Sequence, residues 1–305
     1  MSETVFLFSG QGSQYCGMGV SFAQSIPECR EIFDRASGIL GFDLLDKCAN
    51  APAEELGQTV ISQPAIMAVS LCAAKALEMH GITAKAAAGH SLGEYAAMVY
   101  SGIVTEEEGF RLIKARSEAM QRAAEKGSGA MYAIIGKTPS EIEEVCEKTE
   151  GYVVPVNYNS AVQTVIAGET PAAEAAAAAL TELGARAVKL GVSSAFHSKL
   201  MQPAADEFLQ FAMGIDYKEP KTLMMSNISG GVLDSVDNLG ERLARHIVSP
   251  VRFTDELAEL DRMGIDRFIE CGPGKVLTGL VKKTLKGANA VNVQDMESLE
   301  KAVQG

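Results

Sequence analysis

The stretch AKAAAGHSLGEYAAMVYS, residues 84–101, sets a single serine between two glycines at the seam of two unlike segments. Residues 84–88 are a short apolar run, poor in strand formers, whose position just before the turn makes it a buried strand. Residues 92–101 read as a helix closed by Gly102. Between them, Gly89-His90-Ser91-Leu92-Gly93 fits G-x-S-x-G in the strand–turn–helix context which that pattern requires. Such a turn brings backbone close to the positions two before and two after the serine, so glycine suits both. Ser91 then projects from the turn above a helix N-terminus, which favours negative charge, and the Leu92 N–H can face an oxyanion. A chance glycine-rich turn is the competing reading. The flanking segments favour the nucleophile elbow.

Outward from the elbow, strand-like and helix-like segments alternate, which predicts an α/β protein. TVFLF (4–8) is a first buried strand that runs into the glycine-rich loop Gly10-Gln11-Gly12-Ser13-Gln14. Residues 62–81 read as a helix with Pro64 in its first turn and Gly81 just past its end. Thr105 and Glu108 form a capping box for a helix that runs to about residue 126. After Gly127-Ser128-Gly129 the pattern changes. Strands are expected at 130–135, 152–157, 162–167 and 186–190, with helices at 140–149, opened by Thr138 and Glu141, and at 171–183, capped by Thr170. The order β-α-β-β-α-β is the ferredoxin-like pattern. Glycines flank it on both sides, so residues 127–193 are read as a small subdomain inserted into a discontinuous α/β-hydrolase-like unit of 1–126 and 194–305. IDRFIE (265–270) is the clearest late strand.

The chain has 305 residues and a net charge of −12, which argues against a nucleic-acid partner. Local basic clusters exist at Lys275, Lys282, Lys283 and Lys286 and at Arg242 and Arg245, where solvated faces are the ordinary explanation. The six cysteines form no C-x-x-C pair and none sits at metal-ligand spacing from the four histidines, so no metal is expected and a cytoplasmic location is. Cys271, in ECGPGK, reads as a small buried residue at a strand end rather than a nucleophile. The N-terminal residues carry an acid and no basic region, unlike a signal peptide. No apolar run is read as reaching the roughly 18 residues of a membrane span.

A serine nucleophile needs a base. Of the four histidines, His80 and His246 fall at helix ends, and His90 lies within the elbow, where its side chain is expected to point away from Ser91. His197, in SSAFHSKL, lies in a loop between strand and helix and follows the serine in the chain, as α/β-hydrolase order requires. A surface loop histidine is the rival reading. No acid completes a triad: Asp206 and Asp216 follow the histidine and Glu94 is too near the elbow, so a backbone carbonyl is expected on His197 Nδ1. The loop at 10–14 misses both G-x-G-x-x-G spacing and a Walker lysine, and its Gln11 N–H is a candidate second oxyanion donor. On the helix 105–126, Leu112, Arg116, Ala119 and Ala123 share one stripe. An arginine facing inward must find an anion. An internally paired or snorkelling arginine and a bidentate clamp for a substrate carboxylate are both open readings.

Taken in order, FSGQGSQ (8–14), SQPA (62–65), GHSLGEY (89–95), the arginine of KARSEAM (114–120), GAM (129–131), NYNS (157–160), AFHS (195–198), SPVRF (249–253) and ECGPGKVLTGL (270–280) resemble the malonyl-CoA:acyl carrier protein transacylases. The resemblance spans nearly the whole chain. It implies malonyl transfer from malonyl-CoA to the phosphopantetheine thiol of acyl carrier protein, in fatty acid or polyketide synthesis, without metal or redox cofactor; a monomer is expected. Ser91 would be the nucleophile, His197 the base, and the Gln11 and Leu92 N–H groups the oxyanion hole. Arg116 would hold the malonyl carboxylate, and Phe196 matches the phenylalanine associated with malonyl over methylmalonyl. Gln63, Asn159 and Met120 are expected at the substrate site. Two departures stand out. His246 falls where the family commonly has a glutamine whose carbonyl orients the base, and NYNSAVQ lacks a proline often found after NS. A serine esterase or thioesterase and a non-catalytic carrier-binding subunit are the alternatives. Carrier docking is expected near Lys189 and Lys199 or at the C-terminal lysines.

Overall fold

The computed structural model describes residues 3–127, 129–192 and 194–304. Its strands are β1 (Thr4–Phe8), β2 (Ala86–Gly89), β3 (Ala130–Ile135), β4 (Val153–Ser160), β5 (Gln163–Gly168), β6 (Arg186–Lys189), β7 (Leu223–Ser226), β8 (Gly231–Val232), β9 (Arg267–Cys271) and β10 (Asn289–Val293). One sheet has the order β10-β9-β1-β2-β7-β8, and all its pairs are parallel except β7 with β8. β1 and β2 are buried along their whole length. Successive side chains of a strand point to opposite faces. Phe6, Phe8 and Ala87 therefore join the core on one side of the sheet, while Val5, Leu7, Ala86 and Ala88 join the core on the other. A strand covered on both faces needs no polar alternation, and Ala86–Gly89 forms one despite its weak propensity.

The second sheet has the order β4-β5-β3-β6, antiparallel throughout. With the helices Pro139–Lys148 and Thr170–Glu182 it makes the expected β-α-β-β-α-β unit. The alanine-rich second helix turns Ala173, Ala176 and Leu180 into a core with Ile134, Ile142 and Ile166. The second sheet is tied to the larger unit where Tyr158 N–H donates to the Val251 carbonyl and Val251 N–H to that of Val156, each at 2.8 Å. The small unit thus forms a wall against the large one. Ser128 and Ser193, at its expected ends, lie outside the described residues.

Helix ends shift from the sequence reading by one to three residues, as frayed or tertiary-stabilised ends do. Both capping boxes form, at Thr105 with Glu108 and at Thr138 with Glu141. Thr170 is not a cap: it is the first helical residue and Glu169 takes the cap position without a side-chain bond. The helix read from residue 62 instead begins at Thr59 and runs to Met79, which places Pro64 inside it. Burial along nearly the whole of that helix outweighs the one backbone bond that proline removes. It is also long and apolar enough to cross a membrane, contrary to the reading of the apolar runs. Its most apolar window is 89% buried inside the fold, which makes it a core helix.

The elbow follows β2 directly. Ser91 adopts φ 54°, a left-handed conformation that a non-glycine residue holds only when its surroundings impose it. Both flanking glycines are required by contact. A Cβ on Gly89 would lie 2.0 Å from the Gly93 carbonyl carbon, and one on Gly93 would lie 2.1 Å from the Phe8 carbonyl oxygen. Both neighbours are backbone and cannot yield cheaply. Gly93→Ala is therefore expected to destabilise the fold by about 3 kcal/mol or more, read from urea unfolding midpoints.

Candidate active site

Ser91 sits between β2 and the helix Gly93–Tyr100, on the floor of a cleft of about 370 Å³. The cleft is walled by Gln11 from the loop after β1, by Met120 from the helix Glu106–Lys126, and by Met131 and Asn157 from the small unit. Phe196 and His197 close another side. Ser91 Oγ is 2.7 Å from His197 Nε2. His197 Nδ1 lies 3.0 Å from the His246 carbonyl oxygen and 3.1 Å from that of Ser249. A carbonyl only accepts, so Nδ1 carries the proton and Nε2 is left free to accept from the serine hydroxyl. His197 is itself left-handed, at φ 61°. Burial, then the neighbouring His246 and Arg116, holds its pKa well below the ordinary value. The imidazole is thus the neutral base that a hydroxyl requires.

Ser91, His197 and the two carbonyls have the geometry expected of a backbone-oriented dyad, and the carboxylates considered for a triad are elsewhere. Asp206 accepts from Gln202 on the surface, and Asp216 pairs with Lys218. His80 closes its helix with Nδ1 against the Ala76 carbonyl. His90 shares the cleft wall but turns its Nε2 to Asn159 Oδ1, 2.8 Å away, so Asn159 acts through His90. Cys271 is fully buried and its thiol is pushed well above its usual pKa by that burial, which makes it inert.

Arg116 is fully buried, and the stripe read from the sequence faces inward with Leu112 and Ala119. Its Nη1 donates to Gln63 Oε1 at 2.8 Å and its Nη2 to Ser91 Oγ at 3.1 Å. The guanidinium lies over the Tyr95 ring, 5.4 Å from the centroid. Its Nε has no partner, and among the described residues no carboxylate pairs with it. A guanidinium packed against amide, hydroxyl and ring is still short of an anion. Gln63 in turn donates to Gln11 Oε1 at 3.2 Å and contacts Met120 Sδ at 3.6 Å, which links three of the expected substrate residues, Arg116, Gln63 and Met120, to Gln11 in one patch. The N–H groups of Gln11 and Leu92 have no hydrogen-bond partner among the described residues, whereas Ser91 N–H is already taken by Asn227 Oδ1 at 2.7 Å.

Four buried groups behind the elbow escaped the sequence reading: Tyr95, Asn227, Glu256 and the side chain of His246. Glu94 was set aside as too close to Ser91, and its carboxylate does point away from the cleft, toward Asn227 and His246. The one available signal was a charged residue on an otherwise buried helix face, as at Glu94 and Glu256.

A strained serine with a neutral histidine at its oxygen and unpaired amides beside it defines an acyl-transfer site. The sequence profile described as the acyl transferase domain matches residues 5–302. The malonyl CoA-acyl carrier protein transacylase of Bacillus subtilis (strain 168) is 38% identical over 308 aligned residues, covering 100% of this chain and 97% of the relative. A crystal structure of malonyl CoA-acyl carrier protein transacylase from Clostridium perfringens superposes with a TM-score of 0.95 at 39% identity, covering 99% of this chain and 96% of that one. A malonyl-transacylase solved in complex with its type II PKS acyl-carrier protein superposes with a TM-score of 0.95 at 37% identity, over 99% of each chain. The chain belongs to the acyl transferase family and, within it, to the malonyl-CoA:acyl carrier protein transacylases.

The depressed pKa of His197 fixes the sign of a pH effect. Protonation is opposed in the folded site, so the base stays neutral below the pH at which a free imidazole charges. The acid limb of the rate of serine acylation is expected below pH 6.5, and a limb at or above that value would contradict the buried neutral base. The same sign makes stability fall as pH drops through 6.5 toward the folded value, because the unfolded chain then binds the extra proton.

Proposed function

We propose that this chain carries malonyl from malonyl-CoA to the phosphopantetheine thiol of an acyl carrier protein through a malonyl ester on Ser91. In the first half-reaction His197 Nε2 takes the hydroxyl proton while Ser91 Oγ attacks the thioester carbonyl, a pairing supported by their 2.7 Å separation. The oxyanion of the tetrahedral adduct rests on the unpartnered Gln11 and Leu92 N–H groups. The carbon–sulfur bond breaks, and the proton on His197 goes to the departing CoA thiolate. The second half-reaction runs in reverse order with a new thiol. His197 deprotonates the phosphopantetheine, its sulfur attacks the ester, and Ser91 recovers its proton.

One observation carries this reading: a fully buried arginine without a carboxylate stands 3.1 Å from Ser91 Oγ. The free carboxylate of a malonyl group completes it, with Nη2 released from the hydroxyl as that oxygen is acylated. An acetyl group leaves the charge buried and unpaired, and sites of that kind reject the analogue strongly. Gln63 holds the guanidinium in plane, and Phe196 and Met120 bound the space beside the acyl chain. Lys189 also lines the cleft, on the side of the small unit, and pairs with Glu174 at 3.2 Å.

Arg116→Ala is expected to lower malonyl loading by about 30-fold or more while acetyl loading is unchanged or rises, as measured by intact mass after timed mixing with each thioester. Equal loss for both acyl groups would overturn the clamp. Wild-type protein mixed with malonyl-CoA is expected to gain one malonyl mass, and Ser91→Ala none.

A further inference from the structure

Behind the elbow lies a buried polar network that the acyl transfer steps do not use. Asn227 follows β7 and is completely buried. Its Oδ1 accepts the Ser91 N–H at 2.7 Å, and its Nδ2 donates to the Gly89 carbonyl at 2.6 Å and to Glu256 Oε1 at 2.7 Å. One side chain therefore grips the elbow on both sides of His90. Its own backbone is held as well, with N–H donating to Glu94 Oε1 at 2.7 Å and carbonyl accepting from Arg252 N–H at 2.9 Å. Glu94 then reaches the other catalytic element: its Oε2 is 2.9 Å from His246 Nδ1, a close polar contact outside hydrogen-bond geometry. The backbone carbonyl of His246 is the acceptor on His197 Nδ1, and the two imidazole rings lie 5.2 Å apart. From Ser91 N–H through Asn227, Glu94 and His246 to His197, the contacts form a loop that closes at Ser91 Oγ.

We propose that Asn227, Glu94 and the His246 side chain are positioning residues of the acyl transfer, a frame that fixes the separation of nucleophile and base before substrate arrives. The proposal rests on Ser91 and His197 being that pair. Three features argue for a frame rather than ordinary core. Burying two carboxyl groups beside one amide is costly and gains no apolar contact. Burial, then the nearby Glu94, pushes the Glu256 carboxyl well above the usual range, favouring its neutral form and leaving Glu94 to face the imidazole. Ser91 and His197 are both left-handed, and the network's contacts fall on the Ser91 peptide and on the ring of the residue whose carbonyl holds His197. Strain of that kind persists only where surrounding contacts over-determine it. In this chain the frame is specific. His246 serves the frame twice, with its ring beside Glu94 and its backbone carbonyl on the base.

The test separates positioning from bulk stability by single-turnover malonyl loading, read by intact mass, alongside steady-state KM for malonyl-CoA and thermal unfolding. Glu94→Gln and His246→Ala are each expected to slow loading about tenfold or more, since small displacements of reacting groups cost that much, with KM changed by less than about twofold. His246→Gln, which keeps a polar side chain beside Glu94, is expected to recover most of the His246→Ala loss. Loading at the wild-type rate in both Glu94→Gln and His246→Ala would overturn the frame, as would a loss confined to KM or a His246→Gln variant no better than alanine. Ser91→Ala runs in parallel. If it still acquires the malonyl mass, the nucleophile assignment fails, whereas a clean Ser91→Ala with unimpaired frame variants refutes the frame alone.

Discussion

The contact on which everything else turns is backbone against backbone at the elbow, where Gly93 passes so near the Phe8 carbonyl that no side chain fits between them. That approach locks the helix Gly93–Tyr100 onto β1 and leaves Ser91 no choice but the left-handed region. The cost of that conformation, of order 1–3 kcal/mol, is offset by burial of the two strands on both faces. What the strain provides is direction. The serine oxygen stands clear of its own helix, toward the loop after β1 on one side and His197 on the other.

Around that fixed oxygen the electrostatics are one-sided. A guanidinium and a histidine share the site, while the carboxyl groups of Glu94 and Glu256 are turned to the far side of the elbow. The positive charge of Arg116 depresses the basicity of His197, but less than burial does. On the proposed placement of the malonyl carboxylate against Arg116, binding offsets the guanidinium and makes the imidazolium of the transition state easier to form. Substrate charge thereby assists the proton transfer that the substrate needs. An uncharged acyl group brings no such help, so discrimination arises in the acylation step as well as in binding.

The parts of this design that were legible in the sequence are those that depend on local chemistry. Gly89, Ser91 and Gly93 announce the turn, Thr105 and Glu108 the start of the arginine-bearing helix, and the spacing of Leu112, Arg116 and Ala119 the direction in which that arginine points. The ferredoxin-like insert was readable because its strands and helices alternate cleanly between glycines. Helix starts were less so: Thr59–Met79 overrides its own proline because almost every residue in it is buried, a property of the whole fold. Pairings across long separations were not legible at all. Asn227 lies 136 positions from Ser91, and no periodicity or motif marks it as the elbow's partner. Glu94 was judged by its distance along the chain, when what matters is that its side chain leaves the helix on the face opposite the cleft.

The absence of a triad acid is best understood together with that network. In a Ser-His-Asp site a carboxylate at Nδ1 fixes the imidazole and stabilises its charged form. Here two carbonyls, of His246 and Ser249, do the fixing with dipoles alone. The nearest acid stands one residue further back, against the His246 side chain. Moving the charge away leaves His197 a weaker base but also a better proton donor, and a transfer between two thiols needs both roles in equal measure. The leaving CoA sulfur takes a proton in one half-reaction and the carrier thiol gives one up in the next. Each half-reaction takes a proton up and gives it back, so a base that held its proton tightly would speed the uptake at the expense of the release. An imidazole held by neutral acceptors in a buried site, its pKa low and its position set from behind, serves the two half-reactions symmetrically.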